Sequence, residues 1–317
     1  MIAAERLVHA DAGAIARAGE ILRRGGLVAF PTETVYGLGA NALDDNAVAG
    51  IFAAKGRPRF NPLIVHVRDL KDAESHGAFP DMARELAVAF WPGPLTLVVP
   101  RKKDCSLSLL VSAGLDTVAM RVPSHPVTKA LLAEAKVPIA APSANPSGRL
   151  SATRASDVAE VLGDHVDLII DSGDCPVGIE STVIGFDHGA TVLLRPGAIA
   201  REELEPITGT LRAADKAHIA APGMLESHYA PRAALRLNAH QARNGETLLA
   251  FGSGAPSTAP NLSKSGNLRE AAANLFSMLR KLDASGAQTI AVMPIPNKGL
   301  GEAINDRLAR AAAPRTP

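Results

Sequence analysis

Short apolar runs alternate with helical patterns along most of this 317-residue chain, and that alternation constrains its fold more than any other feature. Residues 27–30, 63–67 and 95–99 are almost entirely apolar or β-branched, as buried strands are. The helical patterns before the first two runs end at Gly25-Gly26 and at Gly56, which are signals for helix termination. Helices and strands in this order bury their apolar faces against one another, so the pattern predicts an α/β fold.

The alternation continues and then changes toward residue 200. Helices are predicted over residues 11–24, 46–55, 81–90 and 126–135, and further strands over residues 117–122 and 139–141. Three more strands, over residues 168–171, 181–186 and 191–194, follow without intervening helices. This order fits a twisted mixed sheet better than a pure repeat of strand-helix-strand units. We expect the domain to span residues 1–207.

Residues 234–317 predict a second, smaller domain. Strands over residues 247–251 and 289–293 alternate with helices over residues 267–282 and 301–311, as in a small Rossmann-like α/β unit. Gly252-Ser253-Gly254 lacks the third glycine of a dinucleotide-binding loop, so we assign no dinucleotide role. Residues 208–233 are poor in large apolar residues and form a candidate linker.

Composition excludes several classes of protein. The formal net charge is only +1, whereas a nucleic-acid-binding domain is usually strongly basic. The chain has no apolar run long enough to span a membrane and no signal-peptide pattern near Met1, so we expect a cytoplasmic protein. Cys105 and Cys175 are far apart, which supports neither a disulfide framework nor a zinc site.

A basic turn over residues 55–62, Lys-Gly-Arg-Pro-Arg-Phe-Asn-Pro, places three cations within five residues. Such cations cannot share one helical face, so they either converge on an anion or are solvated; this stretch alone favours solvation. Arg57 offers a planar fork and Lys55 a compact charge, which suit phosphoryl oxygens. Ser143 and Asn145 lie one residue apart after an apolar strand, so their side chains point the same way if strand geometry persists. A simple turn is an equal alternative for that pair.

Together these stretches resemble the YrdC-like family. The resemblance rests on Pro-Thr-Glu-Thr-Val-Tyr-Gly-Leu-Gly at 31–39, the basic turn at 55–62, Pro-Ser-Ala-Asn-Pro-Ser-Gly at 142–148 and Arg-Pro-Gly at 195–197. A further signature, Pro-Gly-Met at 222–224 with His-Tyr-Ala-Pro at 228–231, points to the two-domain members, the threonylcarbamoyl-AMP synthases. The family fold is a twisted mixed sheet with helices around a large cavity.

The resemblance implies an enzyme that makes L-threonylcarbamoyl-AMP from L-threonine, bicarbonate and ATP and releases pyrophosphate. It implies Mg²⁺ held mainly by the ATP phosphates, with no protein metal site and no organic cofactor. The product would pass to a tRNA threonylcarbamoyltransferase complex that modifies ANN-decoding tRNAs. Neither direct tRNA binding nor a membrane is required.

The resemblance also assigns site residues. Lys55 and Arg57 are the catalytic cations. ATP contacts are assigned to Arg57, Asn61, Thr117, Ser143, Asn145, Ser151, Arg195 and Tyr229. L-Threonine contacts are assigned to Thr34, His66, Arg121, the backbone around Ala141, and Ser181. Arg121 suits a bidentate pair with the threonine carboxylate. The simplest interpretation of Glu33 is a structural role. Arg59 is expected to be solvated.

The linker carries Tyr229, which the resemblance places on ATP. The linker is therefore a candidate lid that folds over the cavity and keeps water from the product. Many family members carry basic residues before the His-Tyr pair, whereas this chain has Leu225-Glu226-Ser227, so a phosphate contact there is in doubt. The alternative function is a non-catalytic RNA-binding module with the same fold. The near-neutral charge and the single tryptophan, Trp91, argue against that alternative. A carbamoyl-adenylate-forming maturation enzyme is disfavoured because cysteine-rich zinc fingers are lacking.

Overall fold

The computed structural model describes residues 6–58, 60–214 and 227–314 and confirms an α/β fold with two sheets. The strands are β1 (Leu7–His9), β2 (Val28–Phe30), β3 (Gly37–Asn41), β4 (Ile64–His66), β5 (Leu95–Pro100), β6 (Thr117–Arg121), β7 (Ile139–Ala140), β8 (Leu168–Asp171), β9 (Thr182–Asp187), β10 (Ala190–Arg195), β11 (Arg212–Ala213), β12 (Ala234–Arg236), β13 (Glu246–Leu249) and β14 (Thr289–Val292). The helices are α1 (Ala12–Arg23), α2 (Asp45–Lys55), α3 (Leu70–His76), α4 (Asp81–Phe90), α5 (Pro126–Ala135), α6 (Ala155–Leu162), α7 (Arg201–Thr208), α8 (Leu268–Ala284) and α9 (Leu300–Ala312). A short 3-10 turn, Gly163–His165, follows α6.

The larger sheet is mixed, as the sequence predicts. Within the described residues its order is β1-β8-β2-β3-β7-β4-β6-β5-β9-β10-β11. Parallel pairs such as β4 with β6 stand beside antiparallel pairs such as β5 with β6. This order brings together the strand ends that carry His66, Arg121 and Arg195, which lie far apart in the chain.

The two faces of this sheet are covered unequally, and that difference makes room for a site. One face is buried throughout by a core that includes Val65 and Met120 and the apolar sides of α2 and α4. On the other face, α1 and α5 cover only the part that contains Phe30. The alternation of side chains places Ile64 and Ala119 on the remaining part of that face, in a small apolar cluster.

The C-terminal part is a three-stranded parallel sheet in the order β12-β14-β13, packed by α8 and α9. The predicted strands and helices are confirmed, and Asn267 caps α8 by accepting from the backbone N–H groups of Arg269 and Glu270. The additional strand β12 was not predicted because it is three residues long and mostly exposed. The predicted boundaries at residues 207 and 234 stay predictions.

Several elements were not predicted, and β3 is the most consequential. Its Gly37 and Gly39 are poor strand formers, yet a Cβ on Gly39 would lie 2.6 Å from the Phe30 ring, so close packing requires glycine there. The short elements β1, α3, α6 and α7 carry too few apolar repeats to be recognised. Among the described residues, no helix has the length and apolar character needed to cross a bilayer.

Candidate active site

A cavity lies over the part of the sheet that α1 and α5 leave uncovered. It contains about 540 Å³ of empty space, part of it open to solvent. Its walls are Thr32, Thr34, Val35, Tyr36, Gly37, Arg57, Ile64, His66, Arg121, Ala141, Pro142, Ser143, Glu180, Ser181, Arg195, His228 and Tyr229. The walls therefore combine residues in or directly next to six strands, β3, β4, β6, β7, β9 and β10, with the segment that contains His228 and Tyr229.

Arg57 and Arg195 make one side of the cavity cationic. Arg57 is buried and donates to two backbone oxygens, from Nε to Asn61 (3.2 Å) and from Nη2 to Pro62 (2.8 Å). No carboxylate of the described residues forms an ion pair with it. Burial lowers the pKa of Arg57 to about 10, and the charge of Arg195 adds to this lowering. A bound anion would offset that unfavourable burial of charge.

Arg195 is held in place by Ser181, another residue that lines the cavity. Its Nη2 donates to the carbonyl oxygen of Ser181 (2.9 Å) and to the Ser181 hydroxyl (3.2 Å). The Ser181 hydroxyl also lies 2.8 Å from that of Thr96. Burial lowers the pKa of Arg195 as well.

Lys55 lies behind the wall of the cavity. Its ammonium group donates to the carbonyl oxygens of Ser143 (2.5 Å) and Asn145, and its own carbonyl accepts from the N–H of Ser147 (2.8 Å). Burial, with the charge of Arg57, places the pKa of Lys55 well below its ordinary value. Lys55 therefore holds the turn that presents Ser143 to the cavity.

Ser143 and Asn145 do not point the same way. Strand β7 ends at Ala140, so the strand geometry that their shared direction requires does not persist. Ser143 lines the cavity, whereas the Asn145 side chain donates to the carbonyl oxygens of Pro146 (2.8 Å) and Arg149 (2.9 Å). Asn145 thus closes a turn in this structure, which was the alternative interpretation of its motif.

A second group of wall residues centres on Arg121. Its Nη2 lies 2.7 Å from a Glu33 carboxylate oxygen, and its Nη1 donates to the Thr34 hydroxyl (3.0 Å). Burial by itself raises the pKa of Glu33, but the charge and hydrogen bond of Arg121 outweigh it, so the net pKa lies below the ordinary value. Glu33 has the structural role expected of it, because it fixes the guanidinium at the cavity wall.

His66 is a neutral side chain beside this charged pair. It is buried, and its ring meets Phe30 edge-on at 6.1 Å between centroids. Burial, with the nearby Arg121 charge, lowers the pKa of His66 to about 3. Its Nδ1 is buried and has no hydrogen-bond partner among the described residues.

The segment with His228 and Tyr229 closes the cavity. The N–H of His228 donates to the Arg310 carbonyl (3.2 Å), and that of Ala230 donates to the Gly148 carbonyl (2.8 Å). Tyr229 has a φ of 60°, which is uncommon for a bulky residue and typical of functional segments. Residues 215–226 of the predicted linker and lid lie outside the described residues, as does Arg59.

The predicted site residues fall into two groups. Those that line the cavity are Thr34, Arg57, His66, Arg121, Ala141, Ser143, Ser181, Arg195 and Tyr229. Those that do not are Lys55, Asn61, Thr117, Asn145 and Ser151. Asn61 is fully buried behind Arg57, and Thr117 begins β6, on the same face as Arg121 but about 13 Å along the strand. Their assignments to ATP stay predictions.

Glu180 and His228 line the cavity but were absent from the predicted set. His228 stands in the recognised His-Tyr signature and could have been included on that ground. Glu180 directly precedes Ser181, but nothing in its sequence context marks a buried carboxylate. It accepts from the Ser151 hydroxyl and from Nε of Arg307 (2.8 Å). Arg307 is one of four charged residues on the amphipathic helix α9, and nothing in the sequence distinguishes it from the others.

Comparisons with known proteins agree with this architecture. The family model described as telomere recombination, for Sua5, YciO and YrdC proteins, matches residues 20–197. A second, described as the C-terminal domain of threonylcarbamoyl-AMP synthase, matches residues 199–313. Together the two matches cover every strand described above except β1.

Individual relatives match over nearly the whole chain. The threonylcarbamoyl-AMP synthase of Pyrococcus abyssi is 42% identical, over 93% of this chain and 92% of the relative. That of Bacillus subtilis is 40% identical, over 95% and 93%. The crystal structure of P. abyssi Sua5 complexed with L-threonine superposes with a TM-score of 0.89, at 40% identity and with 97% of each chain covered. The chain therefore belongs to the Sua5/YciO/YrdC family and, within it, to the two-domain enzymes called threonylcarbamoyl-AMP synthases.

Proposed function

We propose that this enzyme converts L-threonine, bicarbonate and ATP into L-threonylcarbamoyl-AMP and pyrophosphate, the first step of threonylcarbamoyladenosine formation in ANN-decoding tRNAs. The observation that carries the proposal is the pairing of two unlike sites in one cavity. Arg57 is a buried cation that no carboxylate of the described residues neutralises, and it lines the same cavity as the Arg121, Thr34 and His66 group. The first suits a triphosphate and the second an amino acid.

The amino-acid side is supported by the relative that was crystallised with L-threonine. In our proposal, the threonine carboxylate lies at Arg121, whose remaining N–H groups donate to it. Thr34, Ser181 and the neutral His66 offer hydrogen-bonding groups for the hydroxyl and the amine. Glu33 holds Arg121 in place and leaves less net positive charge there than at Arg57.

The chemistry follows from bringing these substrates together. The threonine nitrogen bonds to the carbon of bicarbonate, and water leaves, which gives N-carboxy-threonine. An oxygen of the new carboxylate then attacks the α-phosphorus of ATP, and the bond to the β-phosphate oxygen breaks to release pyrophosphate. Arg57 and Arg195 would stabilise the charge on the phosphoryl oxygens, while Lys55 keeps Ser143 in place.

We propose that Mg²⁺ arrives with the ATP phosphates, where it would screen their charge. The donor set fits this arrangement. Within residues 6–58, 60–214 and 227–314, no three His, Cys, Asp or Glu side chains are grouped to hold a metal. Glu180, a carboxylate at the cavity wall, is already paired with Arg307. The unstable product would then pass to a tRNA threonylcarbamoyltransferase complex.

The decisive experiment measures pyrophosphate release by the purified chain with each substrate omitted in turn. We expect release only when L-threonine, bicarbonate and ATP are all present with Mg²⁺, together with a product of the mass of threonylcarbamoyl-AMP. Tight binding of RNA without such turnover would favour the RNA-binding alternative and refute the proposal.

A further inference from the structure

The C-terminal domain contributes no side chain to the cavity among the described residues. The walls come from residues 32–195 and from His228 and Tyr229. One side chain of α9 nevertheless reaches the back of those walls: Arg307 is only 1% exposed, although its charged neighbours on the helix, Asp306 and Arg310, stay partly exposed. Burying an arginine this completely is unfavourable unless its partners are well placed.

Arg307 contacts three parts of the site at once. Its Nε donates to Glu180 (2.8 Å), and its Nη1 donates to the carbonyl oxygen of Pro196 (3.0 Å). Its guanidinium carbon lies 5.0 Å from the centroid of the Tyr229 ring, a cation–π distance. Asp306, its neighbour on α9, also accepts from Nη1 at 2.6 Å.

Each of these partners bears on the ATP side of the cavity. The other carboxylate oxygen of Glu180 accepts from the hydroxyl of Ser151, so the position of Ser151 depends on Glu180. Pro196 directly follows Arg195, so the hydrogen bond from Arg307 to the Pro196 carbonyl fixes the backbone next to Arg195. Tyr229 closes the cavity between Arg307 and the Phe276 ring, whose centroid is 5.6 Å away.

We infer that Arg307 is a positioning residue, through which the C-terminal domain sets the ATP side of the cavity and holds Tyr229 over it. This inference rests on the proposed function, because it presumes that ATP occupies that side. A planar guanidinium can donate in two directions and stack on a ring at the same time. A lysine ammonium keeps the charge but cannot reproduce that geometry.

A second ion pair, between α9 and the helix α7 that packs on the core of the larger sheet, provides a matched control. Arg201 of α7 and Glu302 of α9 lie 2.7 Å apart and join the same helix to the catalytic domain. Neither lines the cavity. If Arg307 only attached the domains to each other, its loss and the loss of the Glu302 pair would have similar consequences.

The test compares Arg307→Lys with Glu302→Gln by steady-state kinetics, by binding of a non-hydrolysable ATP analogue and by urea unfolding. For Arg307→Lys we expect the KM for ATP and the Kd of the analogue to rise about tenfold or more, as for a lost charged hydrogen bond. The KM for L-threonine should change less than about twofold, because Arg121 and Thr34 do not contact Arg307. Glu302→Gln should alter unfolding alone.

Equal effects of the two variants on ATP, or a parallel loss of threonine and ATP affinity in Arg307→Lys, would overturn the inference. If Arg307→Lys does not fold, the double variant Glu180→Gln/Arg307→Gln removes both buried charges and should fold with the same selective loss of ATP affinity. The proposed function fails separately, when wild type releases no pyrophosphate. If wild type also fails to bind the analogue, the inference falls with it.

Discussion

At the scale of single residues, three buried arginines differ by their partners. Arg121 and Arg307 each have a buried carboxylate beside them, Glu33 and Glu180 respectively. Among the described residues, Arg57 donates to backbone oxygens and to no carboxylate. A buried cation without a counter-ion costs folding free energy, and it is retained where binding an anion compensates. Arg57 is therefore the buried cation that still lacks a carboxylate partner, as our proposal of an anionic ligand at that side chain requires, whereas Glu33 and Glu180 already partner Arg121 and Arg307.

Arg57→Gln should therefore weaken ATP binding without weakening the fold. We expect the KM for ATP to rise at least tenfold, roughly the effect of a lost charged hydrogen bond. The free energy of unfolding should change by less than about 1 kcal/mol, since the buried charge is removed together with its hydrogen bonds. Arg101→Gln is the control, because Arg101 also donates to a backbone oxygen, that of Leu107 (2.8 Å), but lies outside the cavity. An unchanged KM in Arg57→Gln would remove it from the site.

His66 makes stability depend on pH in a defined direction. Its pKa is about 3 in the folded protein and near 6.5 in the unfolded chain. Between those values the unfolded state binds the extra proton, so stability falls as the pH falls from 6.5 toward 3. His66→Gln should reduce this slope by up to about 1.4 kcal/mol per pH unit between pH 6.5 and 5.

Urea unfolding at pH 6.5, 5.75 and 5 measures that slope, in a range above the ordinary pKa of carboxyl groups. His240→Gln, at an exposed position, is the control and should keep the wild-type slope. A wild-type slope in His66→Gln would show that the imidazole is protonated in the folded protein.

At the scale of elements, the loop before β9 depends on close contact with α8. A Cβ on Gly178 would lie 2.5 Å from the Cα of Ala273 and 2.6 Å from the carbonyl oxygen of Ala272, both on α8. The same loop continues into Glu180 and Ser181, which line the cavity. Contact between a loop of one domain and a helix of the other thus determines where two site residues lie.

Gly178→Ala should separate this loop from α8. Its φ of 76° also strains any side chain, so Gly189→Ala, with a φ of 80° and open space around it, is the matched control. We expect Gly189→Ala to cost about 1 kcal/mol, the penalty for the left-handed conformation alone. Gly178→Ala should cost at least about 2 kcal/mol more in urea unfolding, because backbone atoms of α8 must move. Equal losses would show that the contact adjusts without cost.

At the scale of the whole molecule, the two parts share a hydrophobic core. Val35, Leu150 and Ile179 of the catalytic part pack in one cluster with residues of α8 and α9. Tyr229 belongs to the same cluster. Full burial of one such aliphatic side chain contributes about 1.5–3 kcal/mol, so the parts stabilise each other.

The two parts should therefore unfold together. Trp91, the only tryptophan in the chain, reports on the catalytic part through its fluorescence, whereas far-UV circular dichroism reports on the entire chain. We expect the two urea transitions to coincide in wild type, as in two-state unfolding. Gly178→Ala should separate them, because it disrupts the contact between the parts. Two distinct transitions in wild type would show that the shared core is too weak to couple the domains.

Much of the fold could be predicted from the sequence. The helices at Asp81–Phe90 and Pro126–Ala135 match their predictions to the residue, because their apolar spacing and flanking residues are local properties. β3 could not be predicted, since its glycines are explained by the Phe30 ring, a tertiary neighbour. The side-chain directions of Ser143 and Asn145 could not be predicted from the sequence either, because they depend on where β7 ends.

The sequence by itself determined the α/β class and the family resemblance, because periodicity, turn chemistry and motif spacing are local properties of the chain. Through that resemblance it also pointed to nine of the residues that line the cavity. Only the tertiary structure decided which cations are neutralised and which are not. It paired Arg121 with Glu33 and Glu180 with Arg307, left Arg57 facing the cavity and turned Lys55 toward backbone oxygens. The physical reason is that the energy of a buried charge depends on the neighbours that folding brings to it, and those neighbours come from distant parts of the chain.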